Sequence, residues 1–343
     1  MTILNEQPTD WTAAGTYRVA NNVFRIPLAL PLPDLKTVNC YAITSGSSVT
    51  LVDPGWASAS TERALSESLF DLGFTLRDVE QIIVTHTHWD HYTQALALRK
   101  AHGTPVLVGA LERHTIDAFS DLEGVYPRQA ILLRSCDAPE LASFVDALQL
   151  EEYEKDVPFG YPDSWLEDGQ HITVGDRILT VHHTPGHTRG HMIVTDPDSG
   201  TMITGDHLLP RITPSIGFER SPEELPLASF LESLSRVKSL PNARMLPAHG
   251  HVTQAVHSRA EELLEHHRNR LNSVVSQVDA GRHTAASIAG ALTWTRHERA
   301  LTDLNEIHQM TAILEIAAHL DVLVVQGKLR CTTVAGVNHF DRP

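Results

Sequence analysis

The sequence predicts an α+β protein, with β-sheets covered by helices and a smaller, mainly helical part at the end of the chain. Two observations lead to this class. Up to about residue 255, short runs rich in Val and Ile and bounded by Gly, Pro or Asp alternate with segments of helical spacing. From His257 onward, one helical segment follows another. A chain of 343 residues is long enough for two domains, which we place at residues 1–255 and 256–343.

Strands are the main elements expected in the first part. They cover residues 23–27, 38–45, 49–53, 81–85, 105–109, 171–174, 177–182, 191–196 and 201–205. Helices are expected at 60–72 and 93–101, and SGSS, VGDR and DPDSG are expected to form hairpin turns. Residues 117–164 are acidic and show helical spacing. This region is either an insertion that covers a cleft as a lid or a plain helical excursion on the surface.

The last part of the chain is predicted to contain three helices and a hairpin. The spacing of apolar residues, with Gly281 as a C-cap and Thr284 as an N-cap, predicts helices over residues 263–278, 284–292 and 303–327. The hairpin turns near Ala335 and Gly336. This is the order of a winged-helix module, and many such modules bind DNA. Residues 259–342 carry nine basic and ten acidic side chains, however, so we expect a packing or lid role instead.

Charge and composition exclude several classes of protein. The formal net charge of −15 disfavours a protein that binds a phosphate backbone over a broad surface, so nucleic acid is not the expected partner. Three widely spaced cysteines offer neither a disulfide framework nor a Cys-rich zinc site. The first residues lack the pattern of a signal peptide, and no stretch approaches 18 apolar residues. We expect a cytoplasmic protein without a membrane span, in which 21 histidines need an explanation.

The strongest functional signal is the run THTHWDH, which directly follows the apolar residues 82–84. His86 and His88 are two residues apart at the end of a strand, so both imidazoles can bind one metal ion. Asp90 and His91 follow at a turn and offer an oxygen and a nitrogen to a second ion. Three histidines and an aspartate within six residues favour a metal site over surface histidines.

Three later motifs also follow predicted strands. His187 comes after a Pro-Gly turn in HHTPGHTRGH, Asp206 ends a strand in TGDH, and His249 lies in PAHGH. Each motif is weak alone, because a histidine after a turn is common. Together with the first motif, they place five histidines and two aspartates at the ends of strands.

These motifs, together with Asp53 in LVDPG, occur in an order that resembles the metallo-β-lactamase superfamily over roughly residues 20–255. The resemblance implies an αββα sandwich with a dinuclear metal centre at one edge. The implied ligands are His86, His88 and His187 for the first ion and Asp90, His91 and His249 for the second, with Asp206 bridging both. Asp53 would orient metal-bound groups from behind; the alternative is that it only forms an Asp-Pro-Gly turn.

The chemistry implied by this ligand set is hydrolysis. Two divalent ions about 3.5–4 Å apart can share a hydroxide, because coordination lowers the pKa of water from about 15.7 to near 7. The hydroxide attacks a carbonyl carbon, and the second ion stabilises the developing charge. Asp90 and Asp206 would be the catalytic carboxylates among the ligands. Nitrogen and oxygen ligands of this kind suit Zn²⁺ best, with iron or manganese as alternatives.

Four further residues are candidates for contacts with the ligands or the substrate. His191 and His207 lie beside implied ligands. Tyr92 stands where many relatives have a small residue, and for all three a structural role is an equal alternative. Arg211 is the cation of the segment LLPRITPSIGF and could meet a carboxylate of the substrate.

Differences between branches of the superfamily narrow the expected function. Asp206 argues against the secreted β-lactamases, and His88 argues against the flavo-diiron oxidoreductases. The short spacing between Asp206 and His249 argues against nucleases with a large inserted domain. The remaining group contains glyoxalase-II-like thioesterases, lactonases and proteins with a winged-helix-like C-terminal domain.

We therefore expect a hydrolase of a carboxylic ester, thioester or lactone that acts on a small acyl substrate, with a homodimer as an open expectation. One alternative is an endoribonuclease or phosphodiesterase of the same fold. Another is a binding protein that keeps the metal centre but has little turnover.

Overall fold

Two β-sheets packed face to face form the centre of the computed structural model, which describes residues 8–32, 35–121, 124–252, 255–295 and 297–343. The first sheet has seven strands in chain order, β1 (Tyr17–Ala20), β2 (Val23–Ala29), β3 (Thr37–Ser45), β4 (Ser48–Val52), β5 (Val79–Val84), β6 (Val106–Gly109) and β7 (Ser164–Leu166). The second sheet has five strands, β8 (His171–Val174), β9 (Arg177–His183), β10 (Met192–Asp196), β11 (Thr201–Gly205) and β12 (Arg244–Pro247).

The direction of the strands brings the predicted motifs to one edge of the sandwich. In the first sheet, β4, β5 and β6 run parallel, so their carboxyl ends lie side by side. Asp53 follows β4, and the THTHWDH run follows β5. In the second sheet, β11 and β12 are also parallel, and Asp206 and His249 follow their carboxyl ends.

Nine helices of the described residues cover the two sheets or fill the C-terminal part. They are α1 (Ala59–Asp71), α2 (Trp89–His102), α3 (Arg113–Asp121), α4 (Pro127–Ser135), α5 (Pro139–Asp146), α6 (Pro226–Ser239), α7 (Val256–Asp279), α8 (Ala285–Ala291) and α9 (Glu306–Val325). Side chains of α1 and α2 pack on the outer face of the first sheet. Helix α6 packs on the outer face of the second. The order of layers is α, β, β, α, which confirms the expected sandwich.

Alternation along the strands explains how the layers separate. Successive side chains of a strand point to opposite faces of the sheet. In β10, Val194 belongs to the core between the two sheets, whereas its neighbour Ile193 faces the helices. Ile203 and Met202 divide in the same way in β11.

A third hydrophobic core, which we call the C-terminal core, joins distant parts of the chain. It contains Ile193 and Met202 of the second sheet, Phe230 of α6 and buried side chains of α7, α8 and α9. Leu133 of α4 and Val145 of α5 belong to the same core. The acidic region 117–164 thus contains helices that pack against the C-terminal part of the chain.

The C-terminal part has the expected order of three helices and a hairpin, formed by β13 (Arg330–Val334) and β14 (Val337–Asp341). Thr284 caps α8 by accepting from the Ser287 amide at 3.3 Å. Gly281 follows α7 with a φ of +82°. Helix α9 is long and apolar enough to cross a membrane, but Ile316 and other side chains of it are buried in the C-terminal core, so it is a core helix of this fold.

Several elements differ from the expectation. Strands β1 and β7 and helices α3, α4 and α6 were not predicted. Helix α2 begins at Trp89 rather than near residue 93. Asp90 and His91 therefore lie in the first turn of a helix, not in a turn before it.

Candidate metal centre

The first cluster of donor atoms comprises His86, His88, His187 and Asp206, whose ligand atoms lie within 4.8 Å of one another. His86 and His88 come from the loop after β5, and His187 comes from the loop between β9 and β10. His88 Nδ1 and His187 Nε2 are 3.1 Å apart. Two nitrogens bound to one tetrahedral zinc ion at about 2.0–2.1 Å are separated by about 3.3 Å, so this spacing suits a shared ion.

The second cluster comprises Asp90, His91 and His249, whose ligand atoms also lie within 4.8 Å of one another. Nε2 of His249 lies 3.4 Å from Asp90 Oδ2. Nε2 of His91 lies 3.6 Å from the same oxygen. All three side chains are buried, and they come from α2 and from the loop after β12.

Asp206 lies between the two clusters. Its Oδ2 is 3.5 Å from His187 Nε2 in the first cluster and 3.8 Å from His91 Nε2 in the second. Its Oδ1 is 3.4 Å from His249 Nε2. A carboxylate in this position can offer one oxygen to each cluster.

Main-chain oxygens orient two of the histidines. His187 Nδ1 donates to the Ser215 carbonyl at 2.6 Å, and His249 Nδ1 donates to the Thr37 carbonyl at 2.8 Å. Because Nδ1 carries the proton, Nε2 has a free lone pair that points into the cluster.

Buried polar atoms without partners support the presence of a ligand here. Nε2 of His86, His91 and His249 and Oδ1 of Asp206 are buried and have no hydrogen-bond partner. Leaving such atoms unpaired is costly, and buried polar atoms normally have a partner. The two clusters of imidazole and carboxylate donors therefore fit a divalent metal centre.

Asp53 holds the loop after β5 and one histidine. Its Oδ1 accepts from the Thr85 amide and its Oδ2 from the Thr85 hydroxyl, both at 2.8 Å. Oδ2 also lies 2.9 Å from His91 Nδ1. Asp53 adopts a left-handed φ of +51° at the end of β4, and its carboxylate lies against a member of the second cluster.

Burial and neighbouring charges give the two clusters different pKa values. Burial lowers the pKa of His88 to about 3 and that of His187 to about 4, and it lowers the pKa of His86 in the same direction. These imidazoles are neutral, which is the form that binds metal. Burial alone would also lower the pKa of His91, but Asp90, Asp53 and Asp206 raise it to about 10. The carboxylates thus attract positive charge to the second cluster, where a metal ion would displace a proton.

The other candidate residues lie in different positions. His191 is buried and its Nε2 accepts from the amide of Asp206 at 3.1 Å, so it supports the residue between the clusters. His207 is buried, and its ring packs against Phe230. Tyr92 is buried and donates its hydroxyl to the Gly160 carbonyl at 2.6 Å. Arg211 is exposed. After burial, its positive charge is the next cause that lowers the pKa of His251.

Two features near the clusters were not found from the sequence. Glu112, fully buried three residues after β6, contacts the loops of the first cluster. Asp53 was named because LVDPG belongs to the resembled order of motifs, whereas Glu112 stands in no such motif; its one signal is an acidic residue shortly after a predicted strand. An aromatic group also lies beside the site: the ring centroid of Trp56 is 5.5 Å from that of Trp89 and 5.9 Å from that of Tyr153.

Comparisons with known proteins agree with this geometry. The family model described as Metallo-beta-lactamase superfamily matches residues 33–249. The probable metallo-hydrolase YqjP of Bacillus subtilis (strain 168) is 27% identical over 313 residues, which are 87% of this chain and 91% of that protein.

Two solved structures resemble nearly the whole chain. A metallo-beta-lactamase family protein from Thermus thermophilus is 27% identical with a TM-score of 0.75, and the match covers 94% of this chain and 99% of that one. A beta-lactamase domain protein from Burkholderia ambifaria is 28% identical with a TM-score of 0.76, covering 98% and 97%. The similarity includes the C-terminal helices, because so little of the chain is left out.

Proposed function

The chain belongs to the metallo-beta-lactamase superfamily, and we propose that it is a hydrolase that uses two divalent metal ions to cleave a carboxylic ester, thioester or lactone. The position of Asp206 between two clusters of donors carries this proposal, because one carboxylate between two ions is what a dinuclear site needs. The name of YqjP, a probable metallo-hydrolase, supports the reaction class.

His86, His88 and His187 would hold one ion, and Asp90, His91 and His249 would hold the other, with Asp206 shared. When bound, the ions supply an activated water near neutral pH and stabilise negative charge on the carbonyl oxygen. The chain's own residues orient these donors. The Asp53 carboxylate is hydrogen-bonded to Nδ1 of His91. The carbonyls of Ser215 and Thr37 accept from Nδ1 of His187 and His249. The donor set favours zinc, with iron or manganese as alternatives.

A small acyl substrate agrees best with the surroundings of the site. Trp89, between His88 and Asp90 in the sequence, is half-buried and packs against the buried Trp56, so an aromatic side chain accompanies the ligands at this edge. The net charge of −15 opposes a polyanionic substrate. Two arginines are engaged within the fold: Arg220 donates to the carbonyls of Gly124 and Val125, and Arg113 stacks on Trp165.

Metal analysis and a substrate panel test the proposal. We expect two bound metal equivalents per chain and hydrolysis of at least one class among esters, thioesters and lactones. His86→Ala and Asp206→Ala should each lower the rate at least about 100-fold, whereas His171→Ala, which changes an exposed histidine on β8, should not.

Purified protein without metal, or Asp206→Ala with an unchanged rate, would contradict the proposal. Cleavage of single-stranded RNA that is lost in His88→Ala, with no acyl hydrolysis, would favour the endoribonuclease alternative. The cytoplasmic location, the homodimer and the winged-helix-like character of the C-terminal part stay predictions.

A further inference from the structure

Glu112 is a fully buried carboxylate that four donors contact from two different loops. Its Oε2 accepts from the Thr87 amide at 3.0 Å and from the Thr87 hydroxyl. Its Oε1 accepts from the Thr188 hydroxyl, and the Gly190 amide also donates to the carboxylate. A buried carboxylate is costly unless it is hydrogen-bonded, and these donors satisfy it.

The donors all belong to the two histidine motifs but are not themselves ligands. Thr87 stands between His86 and His88, and Thr188 directly follows His187. One carboxylate therefore holds the neighbours of all three histidines of the first cluster. The second cluster has different supports, namely Asp53 and the Thr37 carbonyl.

Two glycines allow the loops to come this close. A Cβ at Gly190 would collide with the backbone at Leu111 and Glu112, and a Cβ at Gly109 would collide with the Gly190 carbonyl. The glycine in the PGHTRGH motif is thus explained by the close approach of this loop to Glu112. The backbone itself is therefore shaped for this contact, in addition to the side chains that make it.

We propose that Glu112 is a positioning residue that sets the geometry of the first cluster and thereby its metal affinity. The proposal rests on the function proposed above. Without the carboxylate, the amides of Thr87 and Gly190 would lose their acceptor, and the loops carrying His86, His88 and His187 would no longer be held together. Removing contacts behind metal ligands typically lowers affinity about 10–100-fold.

The test is a zinc titration of the metal-free protein in competition with a chromophoric chelator. Glu112→Gln replaces one acceptor oxygen with a donor and keeps the size of the side chain. Its effect is measured in two backgrounds: His249→Ala, which leaves the first cluster intact, and His88→Ala, which leaves the second. We expect a loss of about 10–100-fold in the first background and less than about threefold in the second.

A purely structural role would lower both affinities alike and would appear in urea unfolding of the metal-free protein. A second pair of variants keeps the test valid if Glu112→Gln does not fold. Thr188→Val removes one donor at almost constant volume and should weaken zinc binding at the first cluster, whereas Thr188→Ser keeps the hydroxyl and should restore it. Of these two variants, only Thr188→Val should change the absorption spectrum of the Co²⁺-substituted protein.

The outcomes separate the two proposals. If the wild-type protein binds two ions and Glu112→Gln and Thr188→Val keep the affinity of the first cluster, this inference is wrong and the proposed function stands. Equal losses in both backgrounds would also overturn it. If the wild-type protein binds none of zinc, iron and manganese, both proposals fail together.

Discussion

At the scale of single residues, Asp53 combines a backbone role with a chemical one. Its φ of +51° turns the chain at the end of β4, and aspartate tolerates this conformation better than most residues. The turn directs the carboxylate toward both Thr85 and His91. Of the two alternatives that the sequence left for Asp53, the structure thus favours the carboxylate behind the ligands, and the left-handed backbone at this residue accompanies that role.

Asp53→Asn should weaken metal binding at the second cluster about 10–100-fold. The amide provides one acceptor oxygen instead of two, so it cannot accept from the Thr85 amide and hydroxyl and also orient His91. Zinc competition in the His88→Ala background, where the second cluster remains, measures the loss. An affinity within threefold of the parent would contradict this role of Asp53.

The burial of Glu219 leads us to expect that the free energy of unfolding decreases as the pH rises toward 8. It is buried and accepts from the Arg189 amide at 2.9 Å and from the Thr115 hydroxyl at 2.8 Å. Burial and, next, the charge of Glu112 raise the pKa of Glu219 to about 8. Between its ordinary pKa and pH 8, the folded protein keeps a proton that the unfolded chain has released. This contribution to stability therefore decreases as the pH rises through this interval.

Glu219→Gln mimics the protonated side chain and removes this titration. We expect the free energy of unfolding to fall less between pH 5.5 and pH 8 in the variant than in the wild type. Urea unfolding of the metal-free proteins at the two pH values measures the difference. Identical decreases in both proteins would show that Glu219 does not titrate in this range.

The sequence pointed to the candidate ligands and to Asp53 behind them, but not to Glu112. His86, His88, Asp90 and His91 are close in sequence, so their shared chemistry is visible in a short motif. Glu112 acts through Thr87 and Thr188, which are 25 residues before it and 76 residues after it. Such a contact depends on which strands become neighbours, and periodicity does not contain that information.

At the scale of elements, the start of α2 was misplaced although the helix itself was expected. Helix α2 begins inside the metal motif, and its N-cap His88 makes no side-chain capping bond. Its first turn, Trp-Asp-His, has weak intrinsic helix propensity, although Asp90 interacts favourably with the helix dipole. Packing of Tyr92 and Leu96 on the first sheet stabilises this start.

Helix α6 had a detectable signal. Pro226 occupies the first turn, and Leu227, Phe230, Leu234 and Val237 repeat at helical spacing and are buried. Strands β1 and β7, of four and three residues, are too short for a periodic pattern to identify. They are strands because neighbours in the first sheet pair with them.

The close contact between the His187 loop and α6 leads to a prediction about Gly186. This glycine has a φ of +130°, and a Cβ there would lie 2.6 Å from Phe230 Cα and 2.7 Å from its amide nitrogen. Gly186→Ala should lower the free energy of unfolding by about 2–4 kcal/mol through backbone strain and overpacking.

Gly200→Ala is the matched control, because Gly200 has a φ of +65° but open space around it. It should cost only about 1–2 kcal/mol. Urea unfolding of both variants gives the comparison. Equal costs would mean that the loop can move away from α6.

At the scale of the whole molecule, the C-terminal core connects the parts that the sequence separates. Helices α7 and α9 share it with the second sheet and with α4 and α5. The division into residues 1–255 and 256–343 coincides with the start of α7 at Val256, yet the buried side chains continue across it. The two parts therefore depend on each other for burial of apolar surface.

We expect the full chain to unfold in a single calorimetric transition. A chain shortened to residues 1–255 would expose the apolar faces of α6 and of the second sheet, and burial contributes about 25 cal/mol per Å². It should lack a cooperative transition and should aggregate. A shortened chain that remains soluble and unfolds cooperatively would show that the first part is an independent domain.

The oxygens that orient His187 and His249 are backbone carbonyls, of Ser215 and Thr37. Every amino acid has such an oxygen, so the contact itself does not depend on which side chain stands at position 37 or 215; at position 37, burial limits the size of that side chain. Positions 53 and 112 have no such freedom, because their side chains make the contact. Mutational scanning should therefore find position 215 open to most residues and position 37, where Thr37 is buried, open to other small side chains, whereas positions 53 and 112 should accept almost none.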